Sequence, residues 1–213
     1  MELWLTEITV RHRFHAAWHG EGINGDRLHR ELMRLVPADL GDQPRRTSGL
    51  LFRAEPAPDQ RNLRILAQTC LQPRPDMLAD EFADAVRTRP LSPLLETLQP
   101  GMRVRYRIAA NPTKRHGNTA EPEKRGRLAT LRGSAADDWW LRRAEEAGLQ
   151  PQQVLSTSLP DVRGAQHRAR HGVVRFDGTA VVTDADQLRE TLADGIGRAK
   201  SYGCGMLSLG PER

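Results

Sequence analysis

Met102-Arg103-Val104-Arg105-Tyr106-Arg107-Ile108-Ala109 alternates between apolar residues and arginines. Successive side chains of a strand point to opposite faces, so this stretch reads as a strand with its arginines on one face. Pro90, Pro93 and Pro100 interrupt residues 87–100 just before it, which read as a boundary with little regular structure, and a second unit starts at Gly101. Beyond the strand, residues 135–147 read as a helix carrying Trp139 and Trp140, and 152–160 as a strand. A loop rich in arginine and histidine follows. The remainder reads as a strand over 172–182, a helix over 184–193 capped by Asp184, and a short strand Met206-Leu207-Ser208-Leu209.

The half before Gly101 has a comparable order. Residues 3–10 alternate and read as a strand. From Asp26 the pattern turns helical, with Leu28, Leu32 and Leu35 on one face and Pro37 ending the run. Residues 49–55 and 62–71 read as strands joined through Pro56-Ala57-Pro58-Asp59-Gln60, and 77–86 as a short helix. Each half thus approximates strand, helix, two strands, helix, strand, the split βαβ order of a ferredoxin-like domain. The expected fold class is α+β, two tandem ferredoxin-like (RRM-like) domains over residues 1–95 and 100–213. Sheets of this kind are often used to hold RNA.

Composition narrows the function classes. Hydrophobic residues make up 38% of the 213, enough for a core. No run of about eighteen apolar residues is present, so no membrane-spanning helix is expected. The stretch Met1-Glu2-Leu3-Trp4-Leu5-Thr6 does not read as a signal peptide, and the expected location is the cytoplasm. Cys70 and Cys204 form no Cys-x-x-Cys spacing, which excludes a zinc ribbon. The net charge of +5 is unevenly spread: residues 101–175 hold 15 Arg or Lys against 7 Asp or Glu. A concentrated positive region is the usual footprint of a polyanion partner. Arginine far outnumbers lysine, present only as Lys114, Lys124 and Lys200, a bias that genome base composition also produces.

The sharpest motif is Gly195-Ile196-Gly197-Arg198-Ala199-Lys200-Ser201-Tyr202-Gly203-Cys204-Gly205-Met206-Leu207-Ser208-Leu209. Its glycines permit close backbone approach and positive φ, and exposed N–H groups with Arg198, Lys200 and Ser201 offer a phosphate cradle. It is neither a dinucleotide fingerprint, because Lys200 stands where the third glycine belongs, nor a P-loop. Arg163-Gly164-Ala165-Gln166-His167-Arg168-Ala169-Arg170-His171 is a second basic element. On the first helix, Arg27, Arg30 and Arg34 form a basic stripe beside His29. His15 and His19 have the i,i+4 spacing of metal ligands, but Gly20 and Gly22 argue for a loop, so no metal site is assigned.

The glycine-rich string resembles the C-terminal signature of the Cas-six superfamily, and its Lys-Ser-x-Gly-x-Gly-x-Leu-Ser-Leu ending is similar to the CasE branch, the CRISPR repeat-processing endoribonuclease of type I-E Cascade. Arg107-Ile108-Ala109-Ala110-Asn111-Pro112-Thr113-Lys114-Arg115 is similar to the family's Arg-x-x-Ala-Asn-Pro-x-Lys strand end, and Leu28-His29 matches its catalytic histidine position. The resemblance spans nearly the whole chain. It implies a cofactor-free, metal-independent cut at the 3′ base of a CRISPR repeat stem-loop by 2′-OH attack. It also implies that the protein keeps the mature crRNA and joins the other Cascade subunits, with no membrane partner. By the same resemblance His29 is the catalytic residue. RNA contacts are expected from Arg27, Arg30, Arg34, Asn111, Lys114, Arg115, Arg163, Arg168, Arg170, Gly197, Arg198, Lys200, Ser201, Gly203 and Gly205. One departure stands out: family members carry a tyrosine three residues before the histidine, where this chain has Asp26. Asp26 is expected to cap the helix or orient His29, and the departure keeps a repeat-binding subunit without cutting activity as the alternative. His29 sits in the first turn, where the helix dipole favours neutral imidazole and Asp26 opposes it. The residues alone leave its role as acid or base open, with His12, His15 and His19 as sources of a second group. An RRM-like regulator is disfavoured because no aromatic RNP1 pattern is present.

Overall fold

A computed structural model describes residues 2–11, 25–57, 62–119, 121, 123, 125–163 and 170–212. The first unit begins with β1 (Trp4–Val10), α1 (Gly25–Leu32), α2 (Pro44–Thr47), β2 (Leu51–Pro56), β3 (Leu63–Thr69) and β4 (Ala83–Pro90). A short helix, α3 (Ser92–Thr97), leads to β5 (Arg103–Ala110), the hairpin β6 (Thr113–Arg115) and β7 (Leu128–Thr130), and α4 (Ser134–Glu146). The long strands β8 (Leu149–Arg163) and β9 (Arg170–Val182), α5 (Ala185–Asp194) and β10 (Ser208–Pro211) complete the order. Two four-stranded antiparallel sheets result, ordered β2-β3-β1-β4 and β10-β5-β9-β8. In each the first and third strands of the unit are central and the second and fourth lie at the edges, so the fold is two tandem ferredoxin-like units.

Hydrophobic patterning explains α1. Leu28 and Leu32 are fully buried, and a 3-10 turn over Met33–Leu35 keeps Leu35 on the same face. Val36 is extended at φ −124°, as a residue before proline prefers, and Pro37 stops the helix. The three leucines pack with Ile8, Val10, Phe52, Ile65 and Phe82 into one core. A second core gathers Tyr106, Ile108, Trp139, Trp140, Phe176 and Leu188, with the Trp140 and Phe176 rings stacked at 5.6 Å. Leu3, Leu95 and Leu98 also belong to this second core. Asp184 caps α5 as expected, accepting from the N–H groups of Asp186 and Gln187 at 3.0 Å.

Three expectations are corrected. Residues 77–86 are not a helix: a 3-10 turn covers Pro75–Met77, and β4 pairs with β1 from Ala83 to Pro90. Here long-range pairing outweighs the helix-forming composition of Leu78–Ala85, because Phe82 is needed in the core. Residues 87–100 are likewise mostly regular, shared between β4 and α3; Pro90 is tolerated because β4 is an edge strand. The last strand runs over Ser208–Pro211 rather than from Met206. Among the described residues no helix is long and apolar enough to cross a membrane.

The two sheets are joined by buried polar contacts. Arg53 on β2, only 4% exposed, donates to the Ser208 hydroxyl at 2.9 Å. Glu55 next to it pairs with Arg53 at 3.5 Å, with Arg107 on β5 at 3.2 Å, and with Arg64. Arg107 in turn pairs with Asp177 on β9, which also holds Arg175 at 2.7 Å. Gln68 on β3 donates to the Leu192 carbonyl of α5 at 2.6 Å.

Candidate active site

The site forms where the N-terminal turn of α1 meets the glycine-rich loop after α5. A Cβ built on Gly25 would lie 2.6 Å from Tyr202 Cδ1 and 2.9 Å from Val162 Cγ1, so only a glycine lets the helix start this close to the loop. The loop itself is pressed onto the first unit. Gly195 has φ +72° and its backbone lies against Leu51, where a Cβ would come within 2.8 Å of either methyl. Such a position favours glycine both for its φ and for its lack of a side chain. Ile196 N–H donates to Gly205 O at 2.9 Å and Gly205 N–H to Ala109 O at 2.7 Å, which ties the loop to the end of β5.

His29 is half-buried on α1, and its Nδ1 is buried without a hydrogen-bond partner among the described residues. Burial first, and then the Arg45 guanidinium, hold its imidazole below the usual value, against the opposing Asp26 carboxylate. The ring is therefore held neutral near pH 7, as a proton acceptor requires. Beside this helix, Arg45, His171, Arg198, Ala199, Lys200, Ser201 and Tyr202 line one pocket. The pocket draws Arg45 from the first unit and the rest from the second. Burial, and then Arg45, push the Lys200 ammonium down, while Asp194 supports it; its Nζ donates to the Asp194 carbonyl at 2.7 Å. Ala199 adopts a left-handed φ of +58°, unusual for a non-glycine residue and a mark of backbone strain at a functional turn. A cavity holding three cations suits an anion such as a phosphodiester.

A model of the CRISPR associated protein family matches residues 3–211. The chain belongs to this family, in its Cse3/CasE branch. It is 30% identical to "CRISPR-associated endoribonuclease Cse3" of Thermus thermophilus, over 98% of this chain and 100% of that protein. It is 27% identical to "CRISPR system Cascade subunit CasE" of Escherichia coli, over 86% of this chain and 90% of that one. The structure of Thermus thermophilus Cse3 bound to an RNA representing a pre-cleavage complex matches with a TM-score of 0.80 and 29% identity, covering 99% of this chain and 100% of that chain.

In this Cse3/CasE member the residues named from sequence fall into separate groups. Arg198, Lys200 and Ser201 line the pocket, and Asp26 lies within electrostatic reach of His29, His171 and Tyr202. Arg27 and Arg30 are exposed on α1, and Arg34 on the 3-10 turn that follows it. Arg30 donates back to the Asp26 carbonyl at 3.4 Å, and Arg34 to the Met77 carbonyl at 2.7 Å. Arg30 and Arg34 line a different cleft, with Met33, Pro37, Arg74 and Met77. Lys114 and Arg115 are exposed on β6, a hairpin strand that the sequence reading did not anticipate. Arg163 and Arg170 face each other as the last pair of the β8–β9 ladder.

Asn111 and the loop glycines, also named from sequence, make contacts within the protein. Asn111 is 4% exposed and donates to Gly172 O at 2.8 Å, so its side chain holds β5 to β9 instead of facing a ligand. Gly205 is buried with its N–H spent on Ala109, and Gly203 gives its N–H to Lys200 O at 3.3 Å. Neither N–H is free for a phosphate. Gly203 lies against Phe52 and Gly197 against the Trp139 ring, so these glycines serve packing. Arg168, His12, His15 and His19 lie outside the described residues.

Sequence reasoning missed Arg45, His171 and Tyr202 as site residues. Tyr202 is one of only two tyrosines and stands inside the quoted glycine-rich string, a signal that was present. Nothing in the local pattern of Pro44-Arg45-Arg46 marks Arg45, because its role comes from the packing of α2.

Proposed function

We propose that the chain is a metal-independent endoribonuclease that cuts CRISPR repeat stem-loops in precursor crRNA, then keeps the mature crRNA as a Cascade subunit in the cytoplasm. The observation that carries this reading is His29, an imidazole that burial and Arg45 bias toward the neutral form, next to a pocket furnished with Arg45, Arg198 and Lys200. The 2′-OH attacks the adjacent phosphorus and the 5′ oxygen of the next nucleotide leaves, giving a 2′,3′-cyclic phosphate and a 5′-OH. His29 accepts the 2′-OH proton. The three cations stabilise the charge that builds on the phosphorane oxygens, at positions fixed before the substrate arrives.

Arg163 and Arg170 at the β8–β9 hairpin, with Lys114 and Arg115 on the β6–β7 hairpin, hold the stem by its phosphates, joined by Arg168, which lies between the first two in sequence. Arg27, Arg30 and Arg34 hold the strand that runs along α1. The stem contacts set the scissile bond in line with the attacking oxygen, which supplies much of the rate. Residues 1–95 and 100–213 act as the two jaws around this bond.

A cleavage assay on the host's repeat RNA in EDTA tests the reading. Wild type is expected to cut, and His29→Ala to lose roughly 100- to 10,000-fold in rate with hairpin binding retained. A substrate with a 2′-deoxy group just upstream of the cut should resist. Tight binding by wild type with no cutting would replace this reading with that of a repeat-binding subunit, the alternative that Asp26 keeps open.

A further inference from the structure

Transesterification needs two proton transfers, one from the 2′-OH and one to the leaving 5′ oxygen. His29 supplies only one of them. Among the described residues, His171 is the imidazole that lines the pocket. It is the second residue of β9, paired across the hairpin with Val162, and its ring centre lies 4.5 Å from that of Tyr202 at an interplanar angle of 35°. His171 Nε2 is buried and has no hydrogen-bond partner among the described residues. Such a nitrogen is unusual in a histidine kept only for packing, and it leaves Nδ1 as the ring nitrogen that can face a substrate. The same pocket carries Arg45, Arg198 and Lys200, which places any bound phosphodiester beside the ring.

We propose that His171 is the general acid of the cut, protonating the leaving 5′ oxygen while His29 takes the 2′-OH proton; this rests on the nuclease reading above. As the bond from the 2′ oxygen to phosphorus forms, the bond from phosphorus to the 5′ oxygen breaks. The 2′-OH proton passes to His29, and the imidazolium proton of His171 passes to the departing oxygen. His29 ends protonated and His171 neutral, and exchange with water restores both.

The surroundings of His171 suit the acid. Tyr202 presents its ring to the imidazole, and a ring face attracts a cation. The Tyr202 phenol is itself pushed up by burial, by the Asp26 charge and by hydrogen bonding to that carboxylate. Asp26 favours the charged form of both His171 and His29. In the free protein, burial and then Arg198 outweigh it and hold His171 low. A phosphate seated among Arg45, Arg198 and Lys200 offsets the Arg198 charge and so favours the protonated form of His171. Asp26 thus serves as a positioning residue that connects α1 to the second histidine through Tyr202.

A repeat hairpin with sulfur in place of the leaving 5′ oxygen tests the assignment, because a thiolate leaves without protonation. His171→Ala is expected to cut the ordinary hairpin roughly 100- to 10,000-fold more slowly than wild type, with hairpin binding and melting retained. It should return to within a few-fold of wild type on the sulfur substrate, while His29→Ala stays slow on both. His171→Gln, which keeps a hydrogen-bonding side chain without an exchangeable acid proton, carries the same expectation if the alanine variant folds poorly. Normal cutting of the ordinary hairpin by both variants, or slow cutting of both substrates by whichever folds, overturns the role of His171 and leaves the nuclease reading intact. Failure of wild type on the ordinary hairpin overturns that reading itself, and failure on the sulfur substrate alone overturns only the role of His171.

Discussion

At the scale of single residues, the site is defined by which charges face His29. Burial and Arg45 lower its imidazole and Asp26 raises it. On the nuclease reading a proton acceptor works only when neutral, so the acidic limb of kcat/KM should rise with pH through the His29 value, which burial and Arg45 hold below its ordinary one. Arg45→Gln removes one downward push, so the acidic limb of the profile should move to higher pH. Single-turnover rates measured from pH 4.5 to 8 check this, and a limb that stays in place or moves lower would remove Arg45 from the electrostatics of the site. The same variant should weaken hairpin binding, since Arg45 is one of three cations in the pocket.

At the scale of elements, α1 is the part on which position depends most. Gly25 sits where a methyl would strike both Tyr202 and Val162, so Gly25→Ala should push the helix start away from the loop. The expected result is cleavage about 100-fold slower, from a displacement on the order of an ångström. The stability cost is expected to be only about 1–3 kcal/mol. Rates beside melting curves decide it: unchanged cutting would mean that the loop yields instead. Helix α1 was also the most legible element, because its leucine spacing, its proline stop and His29 all lie within a dozen residues. The alternation of Arg103–Ile108 showed β5 as plainly. Strand β4 was not legible, since Leu78–Ala85 has a helical composition and the strand exists only through pairing with β1. The pocket was half legible. Arg198, Lys200 and Ser201 lie together in sequence, whereas Arg45 and His171 reach them only through tertiary packing.

At the scale of the whole molecule, the joint between the sheets carries charge in its interior. Arg53 is almost fully buried and spans from Glu55 to Ser208. Arg53→Ala should cost about 3 kcal/mol, because it leaves a cavity and removes one of three partners from a buried carboxylate. Arg103→Ala, which breaks an exposed 3.7 Å pair with Glu212, should cost no more than about 0.5 kcal/mol. Chemical denaturation of both variants measures the contrast, and equal costs would mean that the joint is not what holds the sheets together.

The pocket takes Arg45 from one sheet's unit and residues 171 and 198–202 from the other. A ribosome making this chain releases His29 and its helix long before the loop that completes their surroundings. A half-made chain therefore carries His29 and Arg45 but not His171, Arg198, Lys200 or Tyr202, and on the nuclease reading nascent protein is harmless to the transcripts around it until synthesis has passed the glycines and the two sheets have closed.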